Sequence, residues 1–192
     1  MPSVAAPRPP ESIAALGDVM QLCFINRDFE GTLKFWSEVM GAGPFFLNEK
    51  VILEELLYMG RPSDVDFRVA IGYWGDLQIE IIEQRNDAPS IYRDWLDGGH
   101  EGLQHVCLMV DDLAKARAVC EAAGAVIAQE GRLPGGRCNF LYADTGGGPG
   151  TMVEIVQPGP GMVEGFAAMR EAARNWDGTD PVRPRGAATI PV

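Results

Sequence analysis

The chain has 192 residues, 46% of them apolar, which is sufficient for a buried core and predicts an ordinary globular protein. Its formal net charge of -11 argues against nucleic acid or an anionic membrane as a partner, because phosphate groups are bound by clustered Lys and Arg. No apolar run approaches the roughly 20 residues of a membrane span, and the Pro/Ala-rich residues 1–12 lack the apolar core of a signal peptide, so we expect a cytoplasmic protein.

The first half of the chain predicts a strand, a helix and three further strands. Asp28 is a typical N-cap for the helix, and Gly41 is positioned to end it. The strands are predicted from short apolar runs in which alternate residues would share a face. In chain order the five elements are the strand 19–26, the helix 29–40 and the strands 51–58, 67–73 and 77–83.

The second half predicts the same order of elements. Asp112 would cap the helix, Gly124 would end it, and the glycines of residues 146–150 would form a hairpin loop. The arginine-bearing loop 132–137 is either an ordinary solvated loop or a lid near an anionic substrate. In chain order the elements are the strand 103–110, the helix 113–123 and the strands 126–129, 138–143 and 152–157. Repetition of one βαβββ unit predicts two modules that share a core.

Outside the repeats, the sequence predicts a connector and a C-terminal helix. Residues 87–90 could start a short helix in the connector, and apolar residues recur at helical spacing between residues 162 and 176. Beyond residue 175 the chain is polar and Pro-rich, so we expect a loosely attached tail. The predicted organisation is an N-terminal arm of residues 1–17, a first module of 18–84, a connector of 85–101, a second module of 102–158, and a helix with tail of 159–192.

Four polar residues interrupt apolar strands at matching places in the two repeats. Gln21 and His105 lie in the first strand of each repeat, and Glu80 and Glu154 lie in the last. A buried carboxylate needs a cationic partner, and neither repeat carries Lys or Arg at an equivalent place. A divalent metal would neutralise both carboxylates and use the amide and the imidazole as further ligands, which predicts one metal per site. The alternative is that Glu80 and Glu154 lie on an open, solvated face of the sheet and that His105 is a hydrogen-bonded histidine of the core.

The four cysteines favour buried free thiols over disulfides. They have no Cys-x-x-Cys spacing, and each lies inside an apolar run. Cys23 and Cys107 each follow a candidate ligand by two residues and would share its strand face. Ligation of the metal by these two thiolates is therefore an alternative.

The duplicated unit with Gln21, Glu80, His105 and Glu154 resembles the vicinal oxygen chelate superfamily of glyoxalases, bleomycin-resistance proteins, extradiol dioxygenases and methylmalonyl-CoA epimerases. The resemblance covers about residues 19–158. It implies an α+β fold in which two tandem βαβββ modules form a half-open, eight-stranded cup, here with a C-terminal helix added. It also implies a metal at the centre of the cup, bound by one residue from each of four strands. The order Gln, Glu, His, Glu is similar to the ligand set of glyoxalase I.

Three positions depart from relatives within this resemblance. Glyoxalase I usually has an Arg four residues after its first ligand and another four before its third, both for glutathione carboxylates. Ile25 and Glu101 stand at these positions, and neither can form the charge-assisted hydrogen bonds, so glutathione is not the expected substrate. Gln21 stands where an extradiol dioxygenase would have one of two histidines, which disfavours oxygen chemistry.

The resemblance and the ligand types together predict an enzyme. A metal with open positions can polarise a carbonyl oxygen and so lower the pKa of the neighbouring C–H group. We therefore expect a metal-dependent, glyoxalase-like lyase or isomerase that forms an enolate or enediolate from a small, fairly apolar carbonyl substrate. Glu154 is the expected general base, with Glu80 as the other candidate. Zn, Ni, Co, Fe and Mn all suit the mixed oxygen and nitrogen ligands.

The expected substrate pocket is apolar and is lined by Ile25, Phe45, Trp74 and Met109. Two other functions are retained as alternatives. One is non-catalytic binding of an apolar or aromatic ligand in the manner of bleomycin-resistance proteins, and the other is epimerisation of an acyl thioester. The expected partners are a small-molecule substrate and a second copy of the chain in a homodimer.

Overall fold

The computed structural model describes residue 9 and residues 11–185, and these form one curled sheet of 11 strands flanked by helices. The strands are β1 Val19–Ile25, β2 Phe45–Asn48, β3 Glu55–Tyr58, β4 Arg61–Pro62, β5 Phe67–Trp74, β6 Leu77–Gln84, β7 Gly102–Met109, β8 Val126–Leu133, β9 Cys138–Asp144, β10 Met152–Pro158 and β11 Val182–Pro184. The α-helices are α1 Phe29–Lys34, α2 Ile91–Asp97, α3 Leu113–Ala122 and α4 Met162–Arg174. Shorter helical turns are Ile13–Leu16, Phe35–Val39 and Pro134–Gly136.

The sheet joins the two repeats edge to edge. Its strand order is β11-β2-β5-β6-β1-β7-β10-β9-β8-β3-β4. Within the repeats, β1 runs parallel to β6 and β7 runs parallel to β10, whereas β1 and β7 pair antiparallel across the centre. The predicted α+β fold of two tandem modules is confirmed, and the cup is completed within one chain.

The second and third strands differ from the prediction. The sequence predicted one strand over residues 51–58, but β2 takes its place beside β5, with Phe46 opposite Ile71. β3 instead pairs with β8 of the second repeat, with Leu57 opposite Glu130. β2 was missed because a strand of four residues directly after a Gly-Pro pair shows little hydrophobic periodicity. The pairing of β3 with β8 depends on tertiary packing, which the local sequence pattern does not indicate.

Both predicted helix caps are confirmed. The Asp28 carboxylate accepts a hydrogen bond from the Gly31 backbone N–H at 2.8 Å, and the Asp112 carboxylate accepts one from Lys115 at 2.9 Å. The first helix is α-helical only over Phe29–Lys34 and continues as a wider π turn.

The central strands of the sheet separate two apolar layers, because alternate side chains face opposite sides of the sheet. The outer layers pack under the helices, as Phe29 and Leu33 of α1 do against Ile79. α3 covers the equivalent face of the second repeat, where Cys120 packs in one cluster with Ile155. The inner layer lines the cup, and the candidate site lies within it.

The C-terminal region is attached at two places. Phe166 and Met169 of α4 pack into the inner layer of the cup, which agrees with the predicted amphipathic helix. β11 then pairs with the edge of β2, and the Phe45 backbone N–H donates to the Pro181 carbonyl at 2.8 Å. The prediction of a loosely attached tail is therefore wrong as far as residue 185. The edge of β2 presents backbone N–H and C=O groups, and β11 forms hydrogen bonds with them.

At the other end, Ile13 and Leu16 of the first helical turn pack against the α3 layer. The rest of the predicted arm and tail, residues 1–8, 10 and 186–192, lies outside the described residues. No helix within residues 11–185 combines the length and apolarity needed to cross a membrane.

Candidate metal centre

The four candidate ligands occupy symmetric positions about the junction of β1 and β7. Gln21 pairs with Gln78 of β6, and Glu80 follows two residues later. In the second repeat His105 pairs with Met152 of β10, and Glu154 again follows two residues later. Since side chains two residues apart share a face, each repeat delivers one neutral ligand and one carboxylate to the inner side of the cup.

The imidazole of His105 lies between the two carboxylates. Its Nε2 atom is 3.6 Å from Glu80 Oε2 and 3.4 Å from Glu154 Oε2. The His105 side chain has 0% exposure, and within the described residues its Nε2 has no hydrogen-bond partner. An unpaired buried nitrogen between two carboxylates is unfavourable unless it carries a proton or ligates a cation.

The other ring nitrogen is held by the preceding residue. Gln104 donates its amide N–H to the Met152 sulfur at 3.3 Å, which orients its Oε1 toward His105 Nδ1 at 2.5 Å. Nδ1 therefore carries the proton of the neutral ring, and the lone pair of Nε2 points toward the carboxylates. This is the arrangement in which a histidine ligates a metal through Nε2.

The charges around His105 favour a bound cation. Burial alone lowers the pKa of His105, but its interactions with the nearby Glu154 and Glu80 carboxylates outweigh it and raise the pKa to about 9. In the metal-free protein a proton on Nε2 thus supplies the positive charge between the carboxylates. A divalent metal would replace that proton and satisfy the same three groups, so the residues present fit such an ion.

Gln21 is oriented by a chain of buried hydrogen bonds. Its Nε2 donates to Gln78 Oε1 at 2.7 Å, and Gln78 Nε2 donates to the Tyr73 hydroxyl at 2.8 Å. The amide nitrogen of Gln21 is therefore directed at Gln78, which leaves its carbonyl oxygen as the atom that could ligate.

A thiol lies within reach of the same centre. One ligand atom each from Cys23, Glu80 and His105 fall within 4.8 Å of one another. Burial first, and then the charges of Glu80 and Glu154, raise the pKa of Cys23 well above its usual range. The same causes, burial first, raise that of Cys107. Ligation by either sulfur would require loss of the thiol proton, and these two thiols remain an alternative to the oxygen and nitrogen ligand set.

Three of the four candidate ligands line one inner cavity of about 90 Å³, namely Gln21, Glu80 and Glu154. His105 lies behind them with its ring edge-on to Tyr142, their centroids 5.0 Å apart. The remaining wall is mainly apolar and includes residues from β5, β9 and α4. The cavity therefore combines a few charged and polar groups with a mainly apolar wall.

The four residues expected to line the pocket are divided between the two faces of the sheet. Ile25 and Met109 belong to the inner apolar cluster, although neither lines the cavity itself. Phe45 packs in the outer cluster, and Trp74 is 48% exposed and contacts Trp36 on the helix side. The expectation for Phe45 and Trp74 is corrected, because strand parity turns both side chains outward.

Two residues of the site carry no recognisable sequence signal. Gln104 is the extra residue of a β-bulge, since Cys23 pairs with His105 while the next residue, Phe24, pairs with Leu103. Arg185, in the predicted tail, lines the inner cavity and interacts electrostatically with Glu80. Neither the bulge nor the return of the tail to the cup follows from hydrophobic periodicity.

Comparison with known sequences gives one family match. The family described as the Glyoxalase/Bleomycin resistance protein/Dioxygenase superfamily matches residues 20–142, which is more than half of the chain. The matched segment contains Gln21, Glu80 and His105 and ends before Glu154. A search of the curated proteins finds no significant match.

Comparison with solved structures gives neighbours at low sequence identity. A methylmalonyl-CoA epimerase from Mycobacterium tuberculosis has a TM-score of 0.54 at 16% identity, covering 76% of this chain and 90% of that one. A methylmalonyl-CoA epimerase in complex with methylmalonyl-CoA and NH4+ has a TM-score of 0.52 at 17% identity, covering 76% of this chain and 96% of that one. A hypothetical protein from Bacillus halodurans C-125 has a TM-score of 0.53 at 12% identity, covering 74% and 94%. These similarities show a shared fold.

Proposed function

The chain belongs to the glyoxalase/bleomycin resistance protein/dioxygenase superfamily, and from this we propose that it is a metal-dependent isomerase or lyase that moves a proton at the carbon beside a carbonyl group. One observation carries the proposal. The buried, unpaired Nε2 of His105 lies between the carboxylates of Glu80 and Glu154. This arrangement suits a cation that would hold a carbonyl substrate beside two proton-transfer groups.

Gln21, Glu80, His105 and Glu154 would hold one divalent metal. When bound, such an ion supplies a Lewis acid that polarises a carbonyl oxygen and makes the neighbouring C–H group more acidic. Gln104 keeps the imidazole in the tautomer that presents Nε2.

Two carboxylates from different modules support proton transfer in both directions. Glu154 would take the proton from the carbon, and the C–H electron pair would move into the carbonyl group to give an enolate. Return of a proton to carbon from Glu154 or Glu80 would complete an isomerisation. We assign the first step to Glu154, which lies 3.4 Å from His105 in the same module.

The surroundings of the site support a small substrate other than a glutathione conjugate. Ile25 is fully buried in the inner cluster. Glu101 accepts a hydrogen bond from the Arg27 backbone N–H at 3.0 Å and forms an ion pair with its guanidinium. Neither position offers a cation to a glutathione carboxylate.

The test combines metal analysis with proton exchange. Protein purified without added metal should contain about one divalent metal per chain, and in heavy water it should exchange the α-proton of a hydroxy-ketone, a hemithioacetal or a 2-substituted acyl thioester. His105→Ala should lose both properties. His100→Ala is the matched control, because it removes the only other histidine, which is exposed.

Two results would overturn the proposal. One is stoichiometric metal in His105→Ala, since the ligand assignment would then be wrong. The other is wild-type protein without metal or exchange that nevertheless binds an aromatic ligand with quenching of tryptophan fluorescence, which would favour sequestration.

Epimerisation of an acyl thioester is the second candidate. The observation that favours it is the presence of two carboxylates, Glu80 and Glu154, within 3.6 Å of His105 Nε2, because epimerisation needs proton transfer at both faces of one carbon. A single enantiomer of a 2-substituted acyl thioester should then lose its optical activity as solvent deuterium enters. Deuterium entry with retained configuration would exclude epimerisation while leaving the proton-transfer proposal in place.

A further inference from the structure

A second, larger cavity adjoins the inner one. This outer chamber has a volume of about 520 Å³ and lies between α4, the segment after β2 and the turn after β8. The two cavities share wall residues, including Leu133, Met162, Phe166 and Arg185. The chamber therefore adjoins the cavity of the carboxylate site, and its size falls within the range of small-molecule pockets.

The charge of the outer chamber is opposite to that of the protein as a whole. The chain carries 27 acidic and 16 basic residues. Among the described residues, the charged ones that line the chamber are Lys50, Arg137 and Arg185, all of them cations. An acidic protein with three cations around one opening would attract an anion there while repelling anions elsewhere.

None of the three cations forms a salt bridge among the described residues, although Arg185 interacts with Glu80 and Lys50 with Asp66 at longer range. Within residues 11–185, salt bridges form at arginines such as Arg68, which is 2.6 Å from Glu83, but at none of the three. Within the described part of the chain, Arg137 donates through its Nε to the Pro134 carbonyl at 3.2 Å and through no other nitrogen, which leaves its terminal nitrogens for a ligand. These donors are therefore available to an incoming anion.

Arg185 connects the chamber to the reactive site. It lines both cavities, and it is carried there by β11, which pairs in parallel with β2 from Val182 to Pro184. Burial lowers the pKa of this half-buried guanidinium, Glu80 raises it, and the neighbouring Arg137 lowers it again. A partly desolvated cation beside another cation is stabilised by an anion that both can bind.

We propose that the outer chamber binds an anionic group of the substrate, a carboxylate or a phosphate, and that Arg185 is the principal residue that recognises it. The substrate would then have a carbonyl at one end, in the inner cavity, and a negative charge at the other. The identity of the reactive end rests on the proposed function, whereas the anion site does not.

The test measures anion binding without catalysis. Inorganic phosphate and succinate are titrated calorimetrically into the full-length protein at low ionic strength, for wild type and for Arg185→Ala, Arg185→Lys and Arg183→Ala. Arg183 is the matched control, because it lies on the same strand, donates to the Asp180 carbonyl and lines neither cavity. Metal content and circular dichroism are recorded for every variant.

The wild type should bind at least one of the two anions, more weakly as salt is added. Arg185→Ala should weaken binding about tenfold or more, Arg185→Lys should weaken it less, and Arg183→Ala should leave it unchanged. Tighter binding of phosphate would identify a phosphate-bearing substrate, and tighter binding of succinate a carboxylate. Wild type that binds neither anion, or an Arg185→Ala protein with wild-type affinity, would overturn the anion site even if metal and proton exchange are present.

Discussion

Gln104 and His105 are consecutive residues of β7, yet their side chains are joined by a hydrogen bond of 2.5 Å between Gln104 Oε1 and His105 Nδ1. In a regular strand consecutive side chains face opposite sides of the sheet. The bulge at Gln104 removes this constraint and lets one residue orient the next. The proton on Nδ1, and hence the lone pair on Nε2, depends on this contact.

Replacement of Gln104 should weaken metal binding without removing a ligand. Gln104→Leu lacks the acceptor for Nδ1–H, and its metal affinity should fall about 10- to 100-fold. Gln104→Glu retains an acceptor for Nδ1–H, so its metal affinity should fall less than that of Gln104→Leu. Competition with a chromophoric chelator measures both affinities. Equal affinity in wild type and Gln104→Leu would show that the contact does not orient the ligand.

The two carboxylates should differ in their contribution to proton exchange. Glu154→Gln should lower the exchange rate at saturating metal by a factor of about 100 or more, because an amide cannot accept the proton. Glu80→Gln should keep a larger residual rate. The measurement is deuterium incorporation into the substrate, with metal content determined in parallel. A larger loss in Glu80→Gln at full metal occupancy would reverse the assignment of the base.

The metal-free protein should lose stability as the pH rises. The pKa of His105 is raised from its ordinary value of 6.5 to about 9 in the folded state, so the folded protein holds this proton more tightly than the unfolded chain. The resulting stabilisation is fully present below pH 6.5 and is lost between pH 6.5 and about pH 9. It amounts to roughly 3 kcal/mol. Urea denaturation of chelator-treated protein at several pH values measures it.

His105→Gln provides the comparison for this pH dependence, because it cannot be protonated. Its unfolding free energy should change much less over the same range, whereas His100→Ala should behave as wild type. Identical pH profiles for wild type and His105→Gln would assign the effect to another group.

A cavity created in the apolar layer under α3 should destabilise the protein. Ile155 is fully buried on the outer face of β10, and Ile155→Ala should lower the free energy of unfolding by about 2–5 kcal/mol. Val163→Ala is the control, since Val163 in α4 is 50% exposed and its substitution should change stability by less than about 1 kcal/mol. Urea denaturation of both variants decides the point, and equal stabilities would contradict the described packing.

Much of the fold was predictable because strand periodicity and helix caps are local. Asp28 and Asp112 cap the helices as predicted, and most strand predictions agree with the structure to within a few residues. The pocket residues were less predictable. Phe45 and Trp74 face outward, and a shift of one position in a strand changes the face on which a side chain lies.

The amino-acid sequence by itself determined the duplicated module and the four side chains Gln21, Glu80, His105 and Glu154, because a polar residue inside an apolar strand is visible in the strand's own alternation. Only the tertiary structure decided three other features, which are the pairing of β3 with the second repeat, the bulge that joins Gln104 to His105, and the return of Arg185 to the cup. Each of the three depends on contacts between segments that the chain brings together only on folding. The energy of such contacts comes from shared backbone hydrogen bonds and burial, and neither is encoded in the local pattern of either partner.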